Sequence, residues 1–264
     1  MSAGARRRAL LLLVPLLVAS LPLRAPAAAP RSRCTVRHPS DARVAWTCRR
    51  LRAGESLERL FGDRWPDVAR FNRMDRRHAG AGVSIKVPAR LDDVRDFTPL
   101  PADLLEAAAE PRFVLIDQAE QFLGAYERGR LVLSVPVATG ETANPTPTGT
   151  FRITAAQRWH PSSLYVIEGT EIPYPMTYAL RFHVDRRGVA FWIHGRDMPG
   201  YPASHGCIGL ADERMQRDHY GRPADPVLDD ARRLYEWVLP PRVADDRLHA
   251  LPDGPRVRIV GRAP

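Results

Sequence analysis

From Phe113 onward the chain is written in short apolar runs separated by glycine, proline or charged turns. "RFVLIDQAEQFLGAYERGRLVLSVPVATG" holds three such runs with a turn at "ERGR", and "GTFRITAAQR", "TYALRFHVD", "GVAFWIHG" and "CIGL" follow. Runs of this length, rich in β-branched and aromatic residues, read as strands. "DDARRLYEWVL" has helical spacing, and "PRVRIV" reads as a closing strand. Short strands between turns predict a mainly β domain over 111–262, a sandwich or barrel.

Upstream the pattern changes. Between Trp46 and Pro88, Ser56 is placed to cap a helix carrying Leu57, Leu60 and Phe61, which Gly62 stops. A second helix is predicted near Trp65 and Pro66, with Val68, Ala69 and Phe71 on its apolar side, and "VSIKVP" reads as a strand. The order is strand, helix, helix, strand, a small α/β module over 45–90. Residues 30–44 are polar and irregular, and 91–110 are punctuated by proline with helical character at "PADLLEAAAE"; both read as linkers.

The first 29 residues follow a third pattern. Arg6, Arg7 and Arg8 precede an apolar stretch from Ala9 to Leu23, and small residues follow at 25–29. That is the order of a secretory leader, cleaved after Ala27 or Ala29. Pro15 and Pro22 interrupt a run already short for a membrane span of about 20 residues, which argues against an uncleaved anchor. No other stretch is apolar enough to span, so the expected product is exported to the periplasm or cell envelope without a stable membrane span. Loss of Arg6, Arg7, Arg8 and Arg24 with the leader takes the formal charge from +9 to +5. Of 39 basic residues only Lys86 is lysine, a bias more in keeping with nucleotide composition than with guanidinium chemistry. An exported chain with no basic stripe interleaved with aromatics is not expected to bind nucleic acid. Three cysteines in an oxidising compartment leave one over. A Cys34–Cys48 bridge would close a short loop worth about 3 kcal/mol in the chain-entropy view, and would leave Cys207 free.

Cys207 ends the stretch "HGRDMPGYPASHGC", which brings His194, His205 and Cys207 together. A thiol nucleophile needs a base beside it, and His194 closes the apolar run "VAFWIH", which would hold it rigidly. Gly206 leaves main-chain N–H groups around Cys207 open to a developing oxyanion. As metal ligands the same three residues match no common zinc spacing, with His160 and His183 the remaining candidates for a fourth. Taken singly, Cys207 also reads as a small buried hydrophobe and each histidine as a structural hydrogen-bonder.

The combination "IHG…YPASHGCIGL" resembles the signature of the L,D-transpeptidase (YkuD-like) family, a histidine followed after a loop by Ser/Thr-His-Gly-Cys. The hairpins from Phe113, the element "TPTGTFRI" and the strand "MTYALRF" are similar to family elements in the same order, over about 112–260. The resemblance implies an enzyme without a cofactor or metal. Cys207 would be its nucleophile and His194 its base, with the Gly195 carbonyl orienting the imidazole. Ser204, His205 and Gly206 would line the site, and Met176 and Tyr178 would lie in a flap over the substrate. It further implies peptidoglycan stem peptides as substrates, with an amine acceptor, another stem or a protein, resolving the acyl-enzyme; the alternatives are a hydrolase in which water resolves it, and a non-catalytic glycan-binding wall protein. One position departs: the family commonly has arginine or asparagine two residues after the cysteine, where this chain has Gly209. Arg181 and Arg196 are the candidates to supply the missing charge. Asp197 could orient a histidine but reads as a solvated loop carboxylate, and His219 reads as a solvated loop histidine. In the upstream module, "RAGESLERLFG", "WPDVARFNRM" and "AGVSIKVP" resemble a lysin-motif (LysM) domain, which implies binding to peptidoglycan or chitin glycan strands.

Overall fold

The computed structural model describes Met1 and residues 32–167, 169–239 and 245–264. Apart from Met1, the expected leader lies outside these residues. Among the described residues no helix is long and apolar enough to cross a membrane.

The N-terminal module has the predicted order: β1 (Trp46–Arg50), α1 (Leu57–Phe61), α2 (Trp65–Phe71) and β2 (Ser84–Pro88). Ser56 caps α1 by accepting a hydrogen bond from the Arg59 N–H, and Gly62 ends the helix at φ +54°. β1 and β2 pair antiparallel, and Leu51, Leu57, Trp65, Val68 and Ile85 form the module's own core.

The larger domain is mainly β. One sheet contains β3 (Phe113–Asp117), β4 (Phe122–Glu127), β5 (Arg130–Pro136) and β6 (Gly149–Arg152). The second contains β7 (Ala155–Val166), β8 (Pro173–Val184), β9 (Ala190–Arg196) and β10 (Ile208–Ala211). Then come α3 (Glu213–Tyr220), α4 (Asp230–Val238), β11 (His249–Ala250) and β12 (Arg256–Val260). The sheet orders are β5-β4-β3-β12-β6 and β10-β9-β8-β7-β11. Val114, Ile116, Leu123, Val135, Leu180, Ile193, Ile208 and Val257 fill the space between the sheets, closed on one side by Leu234 and Val238 of α4.

β3 and β4 are buried on both faces, which is why their runs are continuously apolar rather than alternating. Their outer face is covered by Phe71 of α2 and by Val94, Phe97, Leu100 and Ala107. The segment 91–110 is therefore a packed strap, where sequence polarity and proline spacing suggested a free linker. Residues 32–44 are packed too. Cys34 is bonded to Cys48, and His38, Ser40 and Asp41 are buried. Arg73, fully buried, meets Asp41 at 3.2 Å and Glu120 at 3.3 Å, while the Lys86 ammonium reaches Asp41 at 2.5 Å. Buried charges persist only when paired in this way, and the network joins the N-terminal segment, the module and the β domain.

Candidate active site

β9 lies between β8, antiparallel, and β10, parallel, so its backbone is held from both sides. Residues 192–195 are buried, and His194 is paired in register with Gly209. Its Nδ1 lies 2.9 Å from the Gly195 carbonyl oxygen. A carbonyl only accepts, so in the neutral ring Nδ1 carries the proton and Nε2 is left as the basic nitrogen. Gly195 has no room for a side chain: a Cβ there would fall 2.1 Å from the Thr177 Oγ1 and 2.9 Å from the Asp212 Oδ2. Those two atoms are hydrogen-bonded at 2.6 Å, and Asp212 also caps α3.

Cys207 immediately precedes β10 and is the free cysteine. The loop that delivers it is pinned at several points. The Asp75 N–H donates to the Met198 carbonyl at 2.9 Å, and the Asp75 carboxylate accepts from the Met198 N–H at 2.6 Å. The Ser204 N–H donates to the Thr139 carbonyl, and the Ser204 hydroxyl donates to the Cys207 carbonyl at 2.6 Å. Thr146 Oγ1 donates to the Gly206 carbonyl. Gly206 sits at φ +106°, and a Cβ on it would meet the Phe191 ring at 2.6 Å, so only glycine fits.

Cys207 and His205 stand between two cavities. One, of about 700 Å³, is lined by Tyr165, Tyr174, His194, Arg196 and Asp197 as well as by both of them. The other, of about 450 Å³, includes His160, Met176, Phe191 and Trp192. The His205 ring stacks on Tyr165 of the β7–β8 hairpin with centroids 4.3 Å apart.

Burial dominates the electrostatics. It draws the His194 imidazole down to about 4 despite its hydrogen bond to Gly195, and the Arg196 charge acts in the same direction. Burial also raises the Cys207 thiol, opposed by a main-chain hydrogen bond from Trp192 and by the Arg196 charge. At neutral pH the resting pair is therefore a thiol and a neutral imidazole, not a preformed ion pair.

The structure brings Cys207, His194, Gly195, His205, Gly206 and Met176 to the site. Ser204 is buried and shapes the loop from behind. Tyr178, partly buried and at φ +53°, packs against Tyr235 of α4. Arg181 lies 3.3 Å from Thr154 and over the Trp192 ring, away from the cavity that Cys207 shares with His194. Asp197, read as a solvated carboxylate, is partly buried and held ionised by His78, Arg196 and Arg77. His219, also read as solvated, lies on α3, stacks on Trp159 and lines the larger cavity. Sequence reasoning missed Tyr174, whose hydroxyl donates to Asp197 at 2.8 Å, and Arg77, which reaches Asp197 from 120 residues away. Among the described residues no three or more His, Cys, Asp or Glu side chains are grouped to hold a metal ion.

Residues 111–259, more than half of the chain, match the family model for YkuD, the L,D-transpeptidase catalytic domain. The chain belongs to this family. The YkuD match begins just before β3 and ends within β12, so it spans both sheets and the His194–Cys207 loop. Among solved structures, an L,D-transpeptidase (Yku) from Stackebrandtia nassauensis is 17% identical, with 77% of this chain and 69% of that one covered and a TM-score of 0.42. An L,D-transpeptidase from Xylanimonas cellulosilytica is 22% identical, with 74% and 77% covered and a TM-score of 0.39. One from Mycobacterium smegmatis is 16% identical at a TM-score of 0.37; the match takes in 57% of this chain and spans 59% of the mycobacterial one. No curated protein matches the chain.

Proposed function

We propose that this YkuD-family protein is an exported peptidoglycan L,D-transpeptidase working through a thioester on Cys207. The observation that carries the reading is the His194 Nδ1 bond to Gly195, which leaves Nε2 free in the cavity that also holds the unpaired thiol. In the reaction, the Cys207 sulfur attacks the carbonyl carbon at the L-centre of the diamino acid in a tetrapeptide stem. His194 Nε2 takes the thiol proton and passes it to the amide nitrogen as the C–N bond breaks and D-alanine leaves. Main-chain N–H groups around Gly206 and Cys207 are the candidate donors to the oxyanion. An amine acceptor then attacks the thioester, its proton returns through His194, and a new amide forms as the thiol is released.

Export rests on the leader pattern of residues 1–29. The N-terminal module supplies the second half of the reading. An open groove beside β1 is lined by Thr47, Arg49, Arg50, Arg52 and Gly82, and its lysin-motif likeness makes this the face for a glycan strand. Because the module is docked through buried ion pairs, a bound strand would meet Cys207 at a fixed separation, unlike the variable one a flexible tether allows.

Incubation of the purified protein with tetrapeptide muropeptides, followed by mass spectrometry, tests the reading. Stem dimers with release of D-alanine are expected. Tripeptides alone would replace transfer by hydrolysis of the same acyl-enzyme, and unchanged tetrapeptides would refute both.

A further inference from the structure

The larger cavity beside Cys207 is walled in part by the N-terminal module. Arg77, in the 3-10 turn Arg76–His78 between α2 and β2, lines it together with Arg196 from the end of β9. Among the described residues that line it, Asp197 is the single carboxylate, against these two guanidinium groups. Its oxygens are already shared: Oδ2 with Arg77 Nη2 at 3.0 Å and His78 Nε2 at 3.3 Å, Oδ1 with the Tyr174 hydroxyl at 2.8 Å. Arg196 Nη2 stands 3.9 Å from Oδ1, beyond hydrogen-bond reach, and its Nε donates to the Asp197 carbonyl at 3.0 Å. The Arg77 Nε is buried with no hydrogen-bond partner, and its guanidinium carbon lies over the Tyr220 ring, 4.3 Å from its centroid. Asp75, which bonds His78 beside Arg77, does not line the cavity; it is occupied by Met198, Gln216 and His78. Counted over the described residues, guanidinium outnumbers carboxylate in this wall and Arg77 Nε is an unused donor in a partly desolvated place, the setting in which arginine pairs best with a carboxylate.

We propose that Arg77, with Arg196, receives the terminal carboxylate of the donor peptide and so positions its carbonyl at Cys207. This rests on the transpeptidase reading for the identity of the peptide, and it makes the N-terminal module a determinant of donor specificity as well as a glycan-binding unit. Arg77 acts here by touching substrate, not by activating the thiol.

Alkylation of Cys207 in the intact protein tests the proposal without requiring transpeptidation. Iodoacetate and iodoacetamide differ in the carboxylate, and both form the same C–S bond with loss of iodide. The expected result is that Arg77→Met lowers the iodoacetate-to-iodoacetamide rate ratio at least tenfold, with the iodoacetamide rate changed less than twofold and Arg77→Lys intermediate. An unchanged ratio in Arg77→Met overturns the proposal. In the unaltered protein, propionate is expected to protect Cys207 from iodoacetamide where propionamide does not; equal protection by both, or by neither, overturns it whatever the variants do. A tetrapeptide ending in a carboxamide separates the two readings. If it is used as well as the free acid, the transpeptidase reading stands and this proposal falls. If the Arg77-dependent ratio is found but no peptide reacts, the anion site stands and the transpeptidase reading falls.

Discussion

The Arg196 side chain lies across Gly209: a Cβ built on Gly209 would come within 1.9 Å of the Arg196 Cδ and 2.2 Å of its Cγ. The two residues sit on adjacent parallel strands, Arg196 pairing with Ala211. A chain that lacks a side chain two residues after Cys207 has thus filled that space from the neighbouring strand, and the guanidinium lines the cavity Cys207 faces. Arg181, the alternative source of charge, is elsewhere.

Gly209→Arg should therefore be harmful even though the residue introduced is the one common in the family. It would force Arg196 out of a filled space, at a cost of about 1–3 kcal/mol in stability. Acylation of Cys207 should slow at least tenfold. The double variant Gly209→Arg with Arg196→Gly should recover most of both losses, measured by urea unfolding and by intact-mass kinetics.

Much of this arrangement was legible in the sequence, and the exceptions have physical causes. The strands, the capped helix at Ser56 and the His194–Cys207 loop announce themselves by local spacing. The strap 91–110 does not, because its buried residues Val94, Phe97 and Leu100 follow no period and are set by the outer face of β3 and β4. Continuous apolarity in "FVLI" was the available signal that something covers that face. Asp197 read as solvated because its partners Arg77, His78 and Tyr174 come from two distant elements. Ser204 and Tyr178 were placed along the site by sequence order, but the Ser204 hydroxyl is spent on the Cys207 carbonyl and Tyr178 packs on Tyr235.

The thiol should titrate above the ordinary cysteine range, because burial raises it more than Arg196 lowers it. The rate of iodoacetamide addition to Cys207 should climb through alkaline pH with no thiolate plateau between pH 5 and 7. Arg196→Met should move the midpoint further up, since it removes a charge that favours the thiolate. A midpoint near neutrality would contradict the neutral thiol–imidazole pair.

Stability should fall as the solution is acidified from about pH 6.5 toward 4. His194 is held neutral down to about 4 and His38 to about 3, both chiefly by burial. Below an ordinary value of 6.5 the unfolded chain takes up protons that the folded one refuses, so unfolding is favoured as pH drops through that window. The His194 contribution amounts to about 3 kcal/mol across it. Urea midpoints at pH 7 and pH 4.5 measure the effect, and His194→Gln should reduce it, leaving the His38 part.

Arg76 binds Glu213 through two hydrogen bonds of 2.8 and 2.9 Å, and Glu213 is fully buried. Removing one partner of such a pair strands the other, at about 3–5 kcal/mol. Arg76→Met should lower the unfolding free energy by this order in denaturant titration. Exposed pairs such as Arg95–Asp92 should contribute less than about 1 kcal/mol when broken.

In the proposed reaction Cys207 carries the acyl group of a peptidoglycan stem, and intact-mass spectrometry of the protein during reaction with a tetrapeptide stem reads that adduct. The predicted result is a transient adduct equal to the stem less D-alanine, mapped to Cys207 and absent in Cys207→Ala. Release of D-alanine at an unchanged rate by Cys207→Ala, or an unmodified Cys207 while stems are being cross-linked, would contradict it.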